Sequence, residues 1–141
     1  MWNPPNDAFF DTVWLIVKQI PAGKVSTYGQ IASMMPPSDG FAPDDFKRLA
    51  PRWVGTALRT VNDETVPWQR VINSQGKISL AGATGGKQRR LLEGEGIVFT
   101  EAGRVTLSEY GWDGPDDAWL DEYNLLPPNT FGNHPTQKPL F

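Results

Sequence analysis

The spacing of apolar residues changes character near residue 62, and that change does most to restrict the folds open to this chain. Before it, Phe9, Phe10, Val13, Trp14, Val17 and Ile20 recur at three- and four-residue intervals, which lines up one face of an α-helix. The spacing predicts a helix over Ala8 to Ile20, capped by Asn6 or Asp7 and ended by Pro21-Ala-Gly. Ser26 or Thr27 is placed to cap a short second helix reaching Met35, where Pro36-Pro37 stops it. Ser38 to Leu49 reads as a loop with an acidic start. Pro51 then fits the first turn of a third helix, Arg52 to Val61, with Val54, Ala57, Leu58 and Val61 facing inward. Two short helices, the second opening on an arginine and carrying Gly55 and Ala57 for close approach, suggest a helix-turn-helix.

Past that point the period moves toward two. Arg70-Val-Ile-Asn and Lys77-Ile-Ser-Leu flank Ser74-Gln-Gly76, which reads as a β-hairpin with Gly76 at positive φ. Gly82 to Gly86 reads as a small-residue loop, followed by a helix from Lys87 to Glu95 that Gly96 ends. Ile97-Val-Phe and Arg104-Val-Thr-Leu, around Glu101-Ala-Gly103, make a second hairpin able to serve as a wing. The remainder, Glu109 to Phe141, is rich in proline and aromatic residues, and reads as an extended arm that packs its aromatics on the domain or serves a partner. The fold expected is α/β, mainly α: a winged helix-turn-helix domain over 1–108 with short hairpins, and an aromatic, acidic C-terminal extension over 109–141.

Inventory removes several functions. There is no cysteine, and the one histidine, His134, lies in the proline-rich tail. Disulfides, thiolate metal sites, a cysteine nucleophile, a Ser-His-Asp device and a multi-histidine metal site are all excluded, so neither metal nor cofactor is expected. No apolar run approaches the ~18 residues of a membrane span, and the N-terminus lacks the pattern of a secretory signal. A cytoplasmic, nucleoid-associated protein is expected, or a nuclear one in a eukaryote, acting as a monomer away from membranes.

The net charge of −3 hides an uneven distribution. From Phe46 to Arg90 nine Lys/Arg stand against two acids, a balance of +7; from Glu109 onward one lysine stands against six acids, a balance of −5. A basic middle with an acidic tail is compatible with binding a polyanion through one face, and equally with an ordinary solvated surface.

Four segments settle the direction of the reading: Val25-Ser-Thr-Tyr-Gly-Gln-Ile-Ala, Arg52-Trp-Val-Gly-Thr-Ala-Leu, Pro67-Trp-Gln-Arg-Val-Ile-Asn-Ser-Gln-Gly-Lys-Ile-Ser and Gln88-Arg-Arg-Leu-Leu-Glu-Gly-Glu-Gly-Ile. In this order they resemble the DNA-binding domain of the O6-alkylguanine-DNA alkyltransferases, and more closely the alkyltransferase-like proteins, in which tryptophan replaces the alkyl-accepting cysteine. The resemblance covers roughly residues 8 to 108. It implies that Trp68 stands at the cysteine position, Gln69 at the neighbouring histidine, and Glu95 at the acid of the relay that activates the thiol. With neither thiol nor imidazole, that carboxylate has nothing to activate, and the site is expected to bind without reacting. Pro67, Trp68, Gln69, Arg70 and Glu95 form the expected lesion pocket, Arg70 buttressing the turn through backbone carbonyls. Arg52 matches the arginine finger that fills the space a rotated base leaves, and Tyr28 the tyrosine that crowds the phosphate. Gly55, Thr56, Arg59 and Asn62 complete the expected DNA-binding set.

Two departures stand out. Between Tyr28 and Arg52 lie 23 residues, about ten more than the resemblance leads one to expect, which lengthens the turn of the helix-turn-helix. Leu80-Ala-Gly-Ala-Thr84 lacks the arginine that some alkyltransferase-like relatives direct at the flipped base. The function implied is non-enzymatic recognition of O6-alkylguanine in duplex DNA by minor-groove binding and base flipping, marking the damage for nucleotide excision repair proteins. The alternatives are a transcriptional regulator that uses the helix-turn-helix on undamaged DNA, and a residual enzyme such as a hydrolase.

Overall fold

The computed structural model describes residues 7–131; Asn6, His134 and Phe141, which entered the sequence reading, lie outside them. Helix α1 (Asp7–Val17) buries Phe9, Val13, Ile16 and Val17, and Lys18 to Ile20 continue as tighter hydrogen-bonded turns up to Pro21. Strand β1 (Ser26–Thr27) leads into α2 (Tyr28–Ser33), whose first turn Thr27 caps by accepting the Gln30 N–H at 3.0 Å.

Helix α3 (Pro43–Arg59) corrects the expectation of a loop up to Leu49 and a helix starting at Pro51. Pro43 takes the first helical position, Asp44 and Asp45 complement the helix N-terminus, and Pro51 lies inside. An interior proline costs about 3 kcal/mol, and burying two large aromatic side chains returns roughly as much or more. Phe46, which precedes the proline, and Trp53, which follows it, both pack on Phe9, with ring centroids 6.1 and 5.6 Å away. Phe46 reaches that cluster only if the helix begins before Pro51. Much of the extra length between Tyr28 and Arg52 is therefore helix.

The expected hairpins are hydrogen-bonded turns without regular strand pairs. Strand β2 (Val71–Ile72) instead runs parallel to β1, pairing Ser26 with Val71 and Thr27 with Ile72. Asn73 and Lys77 close a turn on which Gly76 has φ +79°, and a Cβ there would come within 2.4 Å of the Val105 carbonyl oxygen. That carbonyl lies close because the Val105 N–H donates to Gly76 O at 2.7 Å. The wing turn is closed by the Thr100 N–H on Arg104 O.

Gly82 to Gly86, expected as a loop, is the first part of helix α4 (Gly82–Gly94). Glycine is poor in a helix, but a Cβ on Gly85 would lie 2.2 Å from the Leu80 carbonyl oxygen, so the close approach requires it. Gly85, Gln88 and Leu92 form the buried face of α4.

Short helices α5 (Leu107–Tyr110) and α6 (Asp117–Glu122) follow. Trp112, Leu120 and Leu125 join the main core with α1, α2 and α3, while a smaller cluster gathers Val25, Ile72, Leu92, Ile97 and Val105. The buried Gln30 amide donates to Trp112 O at 2.7 Å and Asn129 O at 2.9 Å, which ties α2 to this later segment. Among the described residues, no helix is long and apolar enough to cross a membrane.

Candidate nucleic-acid interface

Trp68–Arg70 form one turn of 3-10 helix between Pro67 and β2, closed by Arg70 N–H on Pro67 O and Val71 N–H on Trp68 O. Proline restricts the residue before the turn, and the parallel pairing of β2 with β1 anchors the residues after it. Gln88 supplies a third support from α4: its Nε2 donates to Gln69 O at 3.0 Å and to Val71 O at 2.9 Å. Gln88 opens the fourth of the family-like segments, but the sequence assigns it no role. Its signal is position: the amide falls between Gly85 and Leu92 at helical spacing, on a face where a polar residue needs partners.

Glu95, at the C-terminal cap of α4, faces the back of the same turn. Its Oε2 accepts from Gln69 Nε2 at 2.8 Å, both oxygens accept from Arg70 Nε at 3.0 and 3.1 Å, and Oε1 accepts from Gly23 N–H at 3.0 Å. Arg70 also donates through Nη1 to Ile20 O at 2.8 Å. Arg70 is thus both a backbone buttress and an ion-pair partner, a pairing that the sequence reading did not find. Burial pushes the Glu95 carboxyl up, but the bonds from Arg70, Gly23 and Gln69 and the charge of Arg70 outweigh it, so the group is held below its usual range. Such a carboxylate is a poor proton acceptor, and its lone pairs are already engaged.

The Trp68 side chain is half-buried and is a shared wall between two open cavities. The first, of about 460 Å3, is bounded by Tyr28, Arg59, Leu80, Thr84 and Gln88 as well as Trp68. The second, of about 670 Å3, lies beside Asn62, Pro67, Gln69 and Arg70. The five residues expected to form one pocket are therefore divided. Trp68 borders both spaces, Pro67, Gln69 and Arg70 border the second, and Glu95 lines neither. Tyr28, expected at a phosphate, borders the first cavity together with Gly55 and Arg59, and its hydroxyl is 3.3 Å from Ser79 Oγ.

Helix α3 presents Arg52, Gly55, Thr56 and Arg59 on one side and buries Trp53, Val54, Ala57 and Leu58 on the other. Spacing of three and four residues makes this one stripe. Arg59 Nη2 donates to Thr56 Oγ1 at 3.3 Å, whereas the Arg52 guanidinium has no hydrogen bond or ion pair among the described residues. A Cβ on Gly55 would meet Arg59 Nη1 at 3.5 Å and Tyr28 Cε1 at 3.9 Å, which is ordinary contact. No close contact therefore requires glycine at position 55; Ala57 is fully buried in the main core, and its carbonyl accepts from Trp14 Nε1 at 2.8 Å. Asn62 is exposed, and no hydrogen bond among the described residues joins its side chain to the turn. No group of three acidic or histidine side chains suited to a metal ion occurs among the described residues.

Comparison with known proteins gives these features a context. The family profile described as the DNA-binding domain of 6-O-methylguanine DNA methyltransferase matches residues 8–97. A protein of Vibrio parahaemolyticus named DNA base-flipping protein is 44% identical over 107 residues, covering 75% of this chain and 97% of that protein. Alkyltransferase-like protein 1 of Schizosaccharomyces pombe is 41% identical over 118 residues, covering 80% of this chain and 95% of its own length. Crystal structures of S. pombe Atl1 superpose at 39% identity over 77% of this chain and 98% of theirs. One, a complex with damaged DNA containing O6-carboxymethylguanine, gives a TM-score of 0.58, and another, with DNA, gives 0.60. The chain belongs to the 6-O-methylguanine DNA methyltransferase DNA-binding-domain family, in its alkyltransferase-like branch.

Proposed function

We propose that this protein recognises O6-alkylguanine in duplex DNA from the minor groove, turns the base into the cavity beside Trp68, and holds it there without chemistry. The observation that carries this reading is the centre of the turn. Where a transferase would need a nucleophile, an indole forms the wall of a 460 Å3 cavity, a volume within the usual range for small-ligand sites. Stacking a base on an aromatic face contributes about 1–3 kcal/mol, and a damaged or mispaired base costs less to rotate out of the helix. Glu95 is turned away from that cavity and saturated by Gln69, Arg70 and Gly23, so it acts as a brace for the turn and not as a base. The α3 stripe faces the phosphates, with Arg52 occupying the space the base leaves. Relatives named for base flipping, and an S. pombe Atl1 complex with damaged DNA, support the same assignment. The held complex then marks the lesion for nucleotide excision repair.

The test is a gel shift on matched duplexes carrying guanine or O6-methylguanine, repeated over a range of salt. Affinity for both should fall with salt through the shared phosphate contacts, while the preference for the alkylated duplex persists. Equal affinity for the two duplexes would remove the lesion-recognition reading. In parallel, protein mixed in excess with DNA carrying a labelled O6-methyl group should retain no label after denaturation; retained label would show a reactive group.

A further inference from the structure

Gln88 is 1% exposed and lines the cavity beside Trp68. Its amide cannot be turned around, because both groups bonded to Nε2, the Gln69 and Val71 carbonyls, are acceptors and require a donor. Both Nε2 hydrogens are thereby used and Oε1 is left over. That oxygen is sealed from solvent and has no hydrogen-bond donor among the described residues. A buried acceptor without a donor costs stability, and such groups in native chains call for a partner that the chain itself does not supply.

We propose that Gln88 Oε1 accepts a hydrogen bond from the exocyclic amino group of the base held in this cavity, making Gln88 a specificity-determining residue. The inference rests on the lesion-recognition reading above and adds the feature of the base that is read. An acceptor with no donor capacity selects for an N–H on its guest. Alkylation at O6 removes the N1 proton of guanine, which leaves the 2-amino group as the N–H donor on that edge of the ring. The cavity then favours purines bearing the amino group over purines that lack it, whatever the alkyl substituent. Because Oε1 is closed to water in the free chain, entry of the base must shift a lining side chain; Trp68 and Leu80 are both half-buried.

The experiment compares two duplexes of one sequence containing O6-methylguanine or O6-methylhypoxanthine, each opposite an abasic spacer so that neither has pairing to lose, alongside guanine and O6-methylguanine duplexes paired with cytosine, which read lesion preference separately. The wild-type protein should prefer O6-methylguanine to guanine in the paired duplexes, and opposite the spacer should bind O6-methylguanine about tenfold more tightly than O6-methylhypoxanthine, which differs only by the missing amino group. Gln88→Met keeps the volume and removes the acceptor, and should bring the two spacer duplexes within about twofold of each other. Because Gln88→Met also strips the donor from two carbonyls and can weaken the turn, Gln88→Lys serves as a second variant. It retains donors for Gln69 O and Val71 O, lacks an acceptor, and should also equalise the pair. Equal wild-type binding of the two spacer duplexes, with guanine still disfavoured in the paired duplexes, overturns the Gln88 assignment alone. A tenfold difference that survives in Gln88→Lys overturns it too, by placing amino recognition elsewhere. Equal binding of O6-methylguanine and guanine in the duplexes paired with cytosine overturns the lesion reading, and this assignment with it.

Discussion

The turn from Pro67 to Arg70 reaches the cavity beside Trp68 through Trp68 alone and the outer stripe of α3 through Gly55 and Arg59, yet the two dispose of their polar groups in opposite ways. At the turn, Gln69, Arg70, Glu95 and Gln88 direct their hydrogen bonds to one another and to the backbone. On α3, Arg52 and Arg59 project into solvent, the first with no partner among the described residues and the second with one hydrogen bond to a neighbouring threonine. Groups already bonded inside the chain cannot bond to DNA without breaking what they hold, whereas exposed guanidiniums are free to meet phosphates. The comparison therefore sorts residues that a family likeness alone leaves together. Under the proposed function Glu95 and Arg70 brace the turn, Arg52 and Arg59 are the groups left free for DNA, and Trp68 stands between them.

The largest effect expected from this division is on stability. The Arg70 and Glu95 side chains are only 18% and 13% exposed, so the pair falls outside the class of weak surface bridges. Arg70→Ala should cost about 3 kcal/mol in urea denaturation, because it leaves a largely buried carboxylate without its cation. The same pair sets a pH response. The Glu95 carboxyl titrates lower in the folded chain than its unfolded value of about 4.3. Its stabilisation is thus complete above that pH and is lost as the pH falls through the lower, folded value. Wild-type stability should drop below about pH 4.3, and Glu95→Gln should be less stable at neutral pH with a shallower acid limb. An Arg70→Ala protein as stable as wild type would mean that the turn does not depend on this brace.

A middle-sized effect is expected at Trp68. Trp68→Ala should reduce the preference for O6-methylguanine over guanine by about tenfold, in keeping with loss of one stacking face, while the slope of affinity against salt stays unchanged. A preference left intact would place the base in another space, the larger cavity beside Asn62 and Arg70 being the next to examine.

The smallest effect on the fold belongs to α3. Arg52→Ala and Arg59→Ala should each change stability by less than about 0.5 kcal/mol, and each should reduce the salt slope of DNA binding by about one. Arg52→Ala should further weaken duplex binding more than single-strand binding, since only a duplex has a vacated space to fill. Equal losses on the two substrates would reduce Arg52 to a phosphate contact and blur its distinction from Arg59.

Much of the molecule is determined by rules that act within a few residues, and those parts were legible in the sequence. Helix α1 follows from the spacing of Phe9, Val13 and Val17, the start of α2 from the Thr27 cap, and the turn at Gly76 from a backbone conformation that glycine adopts freely. The absence of cysteine, with Trp68 and Gln69 in a Pro-Trp-Gln-Arg turn, is likewise a matter of residue identity alone. What only the tertiary structure decided are the places where distant burial outweighs a local preference. Pro51 and the glycines of α4 signal breaks, but the aromatic cluster of Phe9, Phe46 and Trp53, and the contact of Gly85 on Leu80, carry both helices through them. The parallel pairing of Ser26 and Thr27 with Val71 and Ile72 replaces the pairing within a hairpin, because a partner distant in the chain lies next to β2 in space. Arg70 finds Glu95 across 25 residues, and Gln88 spans from α4 to the turn. No local pattern encodes such bonds, because which groups meet depends on how helices and turns pack, and the need to satisfy each buried polar group then selects the partner.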